Sequence, residues 1–585
     1  MIKSSLPWAL AVALLVLTPL MVLPGIHDPF RLPKQVFSDV LALGMLTAMS
    51  WQVARSSALR SGLRRQSGPL PAAVVALLPL AAVVLASAAT SPHPEHAARA
   101  AIGFAISVAV LCGLASWGER SRRLLDWLAI PATLLAALAL LQYFQHQPDP
   151  GPIREARLRL GSLAGNVGDL SAYLVLPALV AQSRLGTPRP SDKTWLWASA
   201  LAIWLAVLLA AQTLVPLVAL AASSAVLWTM GEPTARRRWP MLAVLAGVAL
   251  AAMGPTPLLS RLGEEWRELR SGSMQDVLSG RLDGWRAGLH IGGQNLLLGA
   301  GPGTYRAEFA DAKLALAERG VPFYRSHGYA THFDHAHSEP IEVLADLGVA
   351  GLLASAWLLW WLGRGALERR DPEERAFGVA AIVAFLVFSC FWFPLRTALV
   401  TWPFVVAGAW LLGATQPQRS SPESTTEDTV RKGILPPRNV RSWIAAAATV
   451  LLGTATVWSS YCGVERLRAN RVLRVAEDQA SAMTRRGTLD RGVLRQNIAA
   501  LTHARAGAPD DARIPHAIGS HYLLLDELSS AESWYRSTLE LAPRAETYLN
   551  LGRTLWLRGD STQAHQMFDR AVTLSPALAP EVPGR

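Results

Sequence analysis

Charged side chains are scarce in this sequence. Asp, Glu, Lys and Arg make up 17% of its 585 residues, where a soluble domain carries about 25%. A single water-soluble globule is thereby excluded. Cysteine is scarcer still. Of the three, Cys112 and Cys390 lie within apolar runs and Cys462 at the end of another, so there is no disulfide framework. Negative charge is also in deficit, leaving a net +12. The surplus arginine stands in short loops between apolar blocks, where it sets membrane topology, and that excludes nucleic acid as the partner.

What is present is apolar sequence in blocks of roughly 16–22 residues, the length that crosses a bilayer core. Thirteen such segments are readable, near 7–24, 36–53, 70–89, 100–117, 124–143, 168–182, 195–211, 213–230, 240–254, 341–362, 376–394, 397–414 and 442–461. The seventh and eighth are almost contiguous, as a tight hairpin or one broken segment. The N-terminal charge-then-apolar stretch is too long for a signal peptide and lacks a cleavage site, so it reads as an uncleaved first helix. Basic residues recur in every second loop: Lys3, Arg55–Arg65, Arg120–Arg123, Arg184–Lys193, Arg236–Arg238, Arg364–Arg375 and Arg419–Arg441. The alternate loops hold few: Arg31, Lys34, Arg99, Arg154, Arg157, Arg159 and Arg396. This alternation predicts a cytoplasmic N-terminus, with the long loop 255–340 and everything after 461 on the far, periplasmic side.

The expected fold class is all-α: a polytopic membrane bundle of about twelve helices plus one, with a soluble helical domain after it. Residues 1–414 form the membrane domain and 415–441 a cytoplasmic linker rich in Ser, Thr, Pro and Glu. A further membrane helix spans 442–461, and 462–585 is the soluble part. There, Ala531 and Ala564, Leu541 and Leu574, and Pro543 and Pro576 each stand 33 apart. The pattern resembles tetratricopeptide repeats, stacked helix pairs that cap their own core or bind a protein partner.

Chemistry-bearing residues gather in the long loop. "GRLDGWRAGLHI" has helical spacing, with Leu282, Trp285 and Leu289 on one stripe. "GAGPGTY" follows with alternating Gly299, Gly301 and Gly303, outside any strand-turn-helix context, so it is a tight turn that lets backbone approach a bound group rather than a dinucleotide site. "THFDHAHSEP" then brings His332, Asp334, His335 and His337 together. A zinc site is one reading; a general base at a membrane surface is the other.

Taken in order, "RLDGW", "LLGAGPGTY" and "HAHSEPIEVLADLGVAGLL" resemble the O-antigen ligase and polymerase superfamily, across roughly residues 1–415. The matching positions are Arg281, Trp285, Gly299, Gly301, Gly303, His335, His337, Glu342, Gly348 and Gly351, with Gly161, Gly165 and Asn166 fitting a second landmark. Two departures stand out. Ser338 and Glu339 follow the second histidine, where relatives often have Asn. Gln212 and Thr213 stand where many members carry a Ser-Arg pair.

The resemblance implies a metal-independent glycosyltransferase without cofactor, in the bacterial inner membrane. It would move a glycan from a polyprenyl-diphosphate carrier to an acceptor hydroxyl on a lipid, a glycan or a protein. Ligase, polymerase and protein oligosaccharyltransferase therefore compete, with a transporter or a non-catalytic scaffold as readings of another class. Arg281 is expected on the diphosphate, with Arg154, Arg157 and Arg159 facing it, because a guanidinium pairs phosphate oxygens bidentately. His337 is expected as the base and His335 as its helper. Asn166, Trp285, Gly301 and Gly303 complete the expected binding surface.

Overall fold

The computed structural model describes residues 5–55, 71–145, 159–186, 193–231, 280–323, 325–326, 329–330, 333–414 and 438–583, with isolated positions between 263 and 278. Among these, eight helices are long and apolar enough to cross a membrane, and three shorter apolar helices accompany them. The chain is a multi-pass helical membrane protein. The only strands among the described residues are Arg325–Ser326 and Tyr329–Ala330, paired antiparallel. The expected segment 240–254 and most of the expected linker lie outside the described residues.

The first half comprises α1 (Leu6–Leu17), α2 (Arg31–Arg55), α3 (Ala72–Thr90), α4 (Pro94–Ala115), α5 (Glu119–Leu124), α6 (Ala129–Gln145), α7 (Val167–Gly186), α8 (Thr194–Ala211) and α9 (Leu214–Met230). Helix α7 is the centre of the bundle. Every side chain from Val167 to Gln182 is buried, as expected of a helix packed on all sides. The junction between α8 and α9 is a sharp break at Gln212, whose φ is +50°. From it α8 packs on α7 and α6 while α9 packs on α13 and α7, so the two diverge instead of forming a hairpin.

The long loop contributes α10 (Arg281–Gln294) and α11 (Tyr305–Glu318). Then come α12 (Glu339–Leu367), α13 (Pro372–Phe391) and α14 (Ala398–Ala414). Helix α12 is interrupted at Gly348, where φ is +65°. The interruption leaves main-chain groups that a membrane environment requires to be paired. The stretch after α10 pairs them: Val349 N–H donates to Leu296 O at 2.8 Å and Ala350 N–H to Leu297 O at 3.1 Å. A Cβ on Gly348 would lie 2.4 Å from the Leu297 backbone, so only glycine fits.

The last membrane segment is longer than its apolar stretch. The expected helix 442–461 is the first part of α15 (Arg438–Arg486), a single 49-residue helix. At 1.5 Å per residue it is roughly 74 Å long, more than twice a bilayer core. It runs antiparallel to α2, with Ser50 Oγ bonded to Ala445 O, Thr47 beside Thr456, and Asp28 N–H bonded to Asn470. Its polar end leads into α16 (Arg491–Arg505), α17 (Arg513–Leu524), α18 (Leu528–Leu541), α19 (Ala545–Leu557) and α20 (Ser561–Leu574), each packed on the next. Ala531 and Ala564, the small residues 33 apart, are both fully buried where these helices meet.

Loops sort to two ends of the bundle. At one end the loops preceding α2 and α12 and the first turns of α4 meet the segment after residue 461, through Asp28 on Asn470, Asp334 on Arg544 and Arg99 on Asp510. At the other, Arg184 pairs with Asp126, Arg369 with Glu119, and Arg122 lies over the Phe377 ring at 4.0 Å. This second end carries Arg122, Arg184 and Arg369, from three of the arginine-rich loops.

Candidate active site

The site is assembled around the first two turns of α12. Three acids project there: Glu339, Glu342 and Asp346, each at most 5% exposed. One cation answers all three. Arg396, from the turn between α13 and α14, stands 3.6 Å from Glu339, 3.4 Å from Glu342 and 3.3 Å from Asp346. Those carboxylates hold its guanidinium firmly charged, overcoming a burial that works against it. Glu339 also accepts the Leu395 N–H at 3.0 Å, which fixes the turn bearing Arg396.

Each of the other two acids orders one flanking turn. Asp346 accepts the Gly303 N–H at 2.8 Å and the Tyr305 N–H at 3.1 Å, while the Gly301 N–H bonds to its backbone carbonyl at 2.9 Å. The glycine turn thus closes on α12 itself. Its φ values of +69°, +121° and +72° at Gly299, Gly301 and Gly303 suit glycine alone. Added Cβ atoms would meet Asp346 at 2.3 Å, Ser91 Oγ at 2.2 Å and Ala100 at 2.8 Å. The N–H groups of Gly301 and Gly303, and the space beside them, are taken up by the protein itself.

Glu342 orders the histidine loop. Its carboxylate accepts from His335 Nδ1 at 2.9 Å and from the Ala336 N–H at 2.9 Å. An ionised carboxylate can only accept, so Nδ1 carries the proton and Nε2 is left as the basic nitrogen. The His335 side chain is 27% exposed, against 1% for Glu342. This is the arrangement of a carboxylate-oriented general base.

His337 is held differently. Its φ is +54°, a left-handed position that histidine tolerates better than most side chains. Its ring packs among Phe333, Phe393 and Trp392 at centroid distances of 5.0, 4.9 and 5.7 Å. Burial first, and then the charge of Arg281, push its pKa down to about 3, so the ring is neutral and weakly basic. Its buried Nδ1 has no hydrogen-bond partner among the described residues. Of the two rings, His335 is the one oriented by a buried carboxylate, while His337 is packed among aromatic rings.

Arg281 opens α10 one turn before Gly284, where an added Cβ would lie 3.2 Å from the Ala336 carbonyl, between the two histidines. Trp285, one turn on, lies 6.2 Å from the Phe391 ring. The face by which α10 packs on α12 is not the one bearing Leu289, which is 54% exposed. It is a row of glycines at i, i+4 and i+8. Cβ atoms at Gly284, Gly288 and Gly292 would come within 3.1, 2.5 and 2.8 Å of Phe333, Ile341 and Leu344. These glycines let α10 lie against the start of α12 and bring Arg281 to the histidines.

Asn166 caps α7: its Oδ1 accepts the Gly168 N–H at 2.6 Å and its carbonyl the Leu170 N–H at 3.1 Å. The helix start so formed carries buried Asp169, paired with Arg31 at 3.1 Å. The charge of Arg31, like that of Arg281, contributes to lowering the His337 pKa. Arg154 and Arg157 lie outside the described residues, and only the backbone of Arg159 is described. Sequence reasoning took Arg31 and Arg396 for topology charges. Their signal was position, since each stands at the start of a membrane helix on the side whose loops carry few basic residues.

Among the described residues no group of three or more His, Cys, Asp or Glu side chains is arranged to hold a metal ion. His332, a ligand in the zinc reading, lies outside them. Ser338 begins α12, its carbonyl accepting the Glu342 N–H at 2.9 Å.

Residues 198–356 match a family model described as O-antigen ligase. The match spans α8 to the interruption of α12 and includes Arg281, the glycine turn, both histidines, Glu342 and Asp346. It supports the O-antigen ligase family, and with it a membrane enzyme of glycosyltransferase type. Comparison with curated proteins gave no match.

Proposed function

We propose that the protein transfers a glycan from a polyprenyl-diphosphate carrier to an acceptor hydroxyl, at the outer face of the cytoplasmic membrane. The observation that carries this reading is the His335–Glu342 pair beside Arg281, inside the stretch that matches the ligase family. The basic-loop alternation supports a cytoplasmic N-terminus, with the site and the C-terminal helices on the periplasmic side.

The acceptor oxygen attacks the anomeric carbon as the bond from that carbon to the diphosphate oxygen breaks. The hydroxyl proton passes to His335 Nε2, and Glu342 stabilises the imidazolium that forms. The polyprenyl diphosphate leaves with the bonding electrons and needs charge neutralisation more than protonation. Arg281 supplies that from the first turn of α10, assisted by Arg31 at the start of α2. The neutral His337 ring and its aromatic neighbours exclude water that would otherwise compete with the acceptor.

Purified full-length protein, given a polyprenyl-diphosphate oligosaccharide with a lipid-core, a glycan and a protein acceptor, is expected to produce one glycosylated product identifiable by mass. Its identity separates ligase, polymerase and protein transferase. Movement of the lipid-linked glycan across the bilayer without any product would overturn the reading in favour of transport.

A further inference from the structure

The helices after residue 461 are built into the surface that carries the site. Asp510, in the turn before α17, has a side chain 4% exposed and accepts from three arginines of three different segments. Arg466 of α15 grips both its oxygens at 2.7 and 2.8 Å, Arg99 of α4 donates at 2.9 Å, and Arg306 of α11 at 3.0 Å. One carboxylate thus ties the C-terminal helices to a membrane helix and to the helix that follows the glycine turn.

Two further bonds repeat the connection in register. Helices α18 and α20 end at Leu541 and Leu574, 33 residues apart. Each terminal carbonyl, unpaired within its own helix, accepts from a side chain outside the array. His96 Nε2 lies 3.1 Å from Leu541 O, and Lys313 Nζ donates to Leu574 O at 3.1 Å. The His96 tautomer follows from its other nitrogen. Arg306 can only donate to Nδ1, at 2.8 Å, so Nε2 holds the proton and donates. Ala310 of α11 is buried in the same apolar cluster as Tyr535, Phe568 and Leu574, so α11 serves as an added helix of the array. The C-terminal helices also come within one residue of the base, where Arg544 stands 3.9 Å from Asp334.

From these contacts we infer that Asp510 is a positioning residue for glycan transfer: it clamps α11 between the C-terminal helices and α4, and so fixes the glycine turn, Asp346 and the acid cluster behind His335. The C-terminal helices are then a part of the catalytic unit and not a tethered module. The inference rests on the transfer reaction proposed above. No array residue need touch substrate, so the effect falls on turnover and spares donor affinity. Displacement of reacting groups by about 1 Å costs on the order of a hundredfold in rate.

The test uses full-length protein in membranes, with Asp510→Arg and the reciprocal swap Asp510→Arg/Arg306→Glu. Transfer kinetics and hydrogen exchange of residues 305–318 are measured together. Asp510→Arg is expected to lower kcat about a hundredfold, to change the donor KM less than about threefold, and to speed exchange in α11. Arg99 and Arg466 still face residue 510 in the swap, so it is expected to restore part of both losses together. Faster exchange with unchanged kcat would overturn the inference, as would unchanged exchange, or a swap that restores exchange without kcat. If wild-type protein transfers no glycan, the functional reading fails in that arm alone and takes this inference with it, whatever the exchange data say of the docking.

Discussion

Two turns flank the start of α12, and they use their polar groups in opposite ways. In the glycine turn the N–H groups of Gly301, Gly303 and Tyr305 are bonded to Asp346, and the space a side chain would need is filled by Ser91 and Ala100. In the histidine loop Glu342 orients one ring through a single nitrogen, while the second ring keeps a buried nitrogen without a partner among the described residues. Saturated polar groups fix a backbone; groups left open are available to a substrate. In the proposed mechanism the motif with the more conspicuous sequence therefore serves as scaffold, and the chemistry is assigned to the turn whose hydrogen bonding is incomplete.

Arg396 is where the two turns can be broken together. Arg396→Ala leaves three buried carboxylates without their cation, and removing one partner of a buried ion pair costs about 3–5 kcal/mol. Both turns should loosen and activity vanish, with a matching fall in thermal stability. Retained stability would mean that the acids do not depend on this arginine.

Gly301→Ala should separate the turns. The new methyl meets Ser91, and overpacking of this kind costs about 1–3 kcal/mol. Chemical denaturation should register the loss, the pH profile of transfer should keep its wild-type shape, and adding Ser91→Gly should recover part of the stability. An altered pH profile would place the glycine turn in the chemistry after all.

Acid affects the histidine loop through His337 and, in the array, through His516, whose pKa burial pushes down to about 4. Both fall below the unfolded value of 6.5. The unfolded chain therefore binds protons more readily, so these rings contribute their full stability above about pH 6.5 and lose it as pH falls toward 4 and 3. Thermal unfolding between pH 7 and 5 should show a decline that His516→Asn reduces. A flat profile in the wild type would contradict the buried neutral rings.

Much of this architecture was legible in the sequence, because apolar length and loop charge are local signals. The order of Arg281, the glycines, the histidines and the acids of α12 was legible too. Arg396 was not, since its meaning depends on α13 returning the chain to the start of α12, a tertiary fact no spacing encodes. The same holds for Asp510, whose three arginines come from three distant segments. The partner of the glycine turn was not legible for a physical reason: a run of donors with positive φ suits an external anion as well as a carboxylate of the same chain, and only the fold places Asp346 there. The 49-residue length of α15 was hidden because its apolar face ends long before its helical propensity does.

The central claim is that His335, oriented by Glu342, removes the acceptor proton while His337 remains a neutral wall. Single-turnover transfer by His335→Ala and His337→Ala, measured side by side in protein shown to be folded, tests it most directly. Loss of a general base costs about 10²–10⁴-fold, so His335→Ala should lose that much and His337→Ala at least tenfold less. His335→Ala turning over at the wild-type rate, or His337→Ala showing the larger loss, would contradict the account.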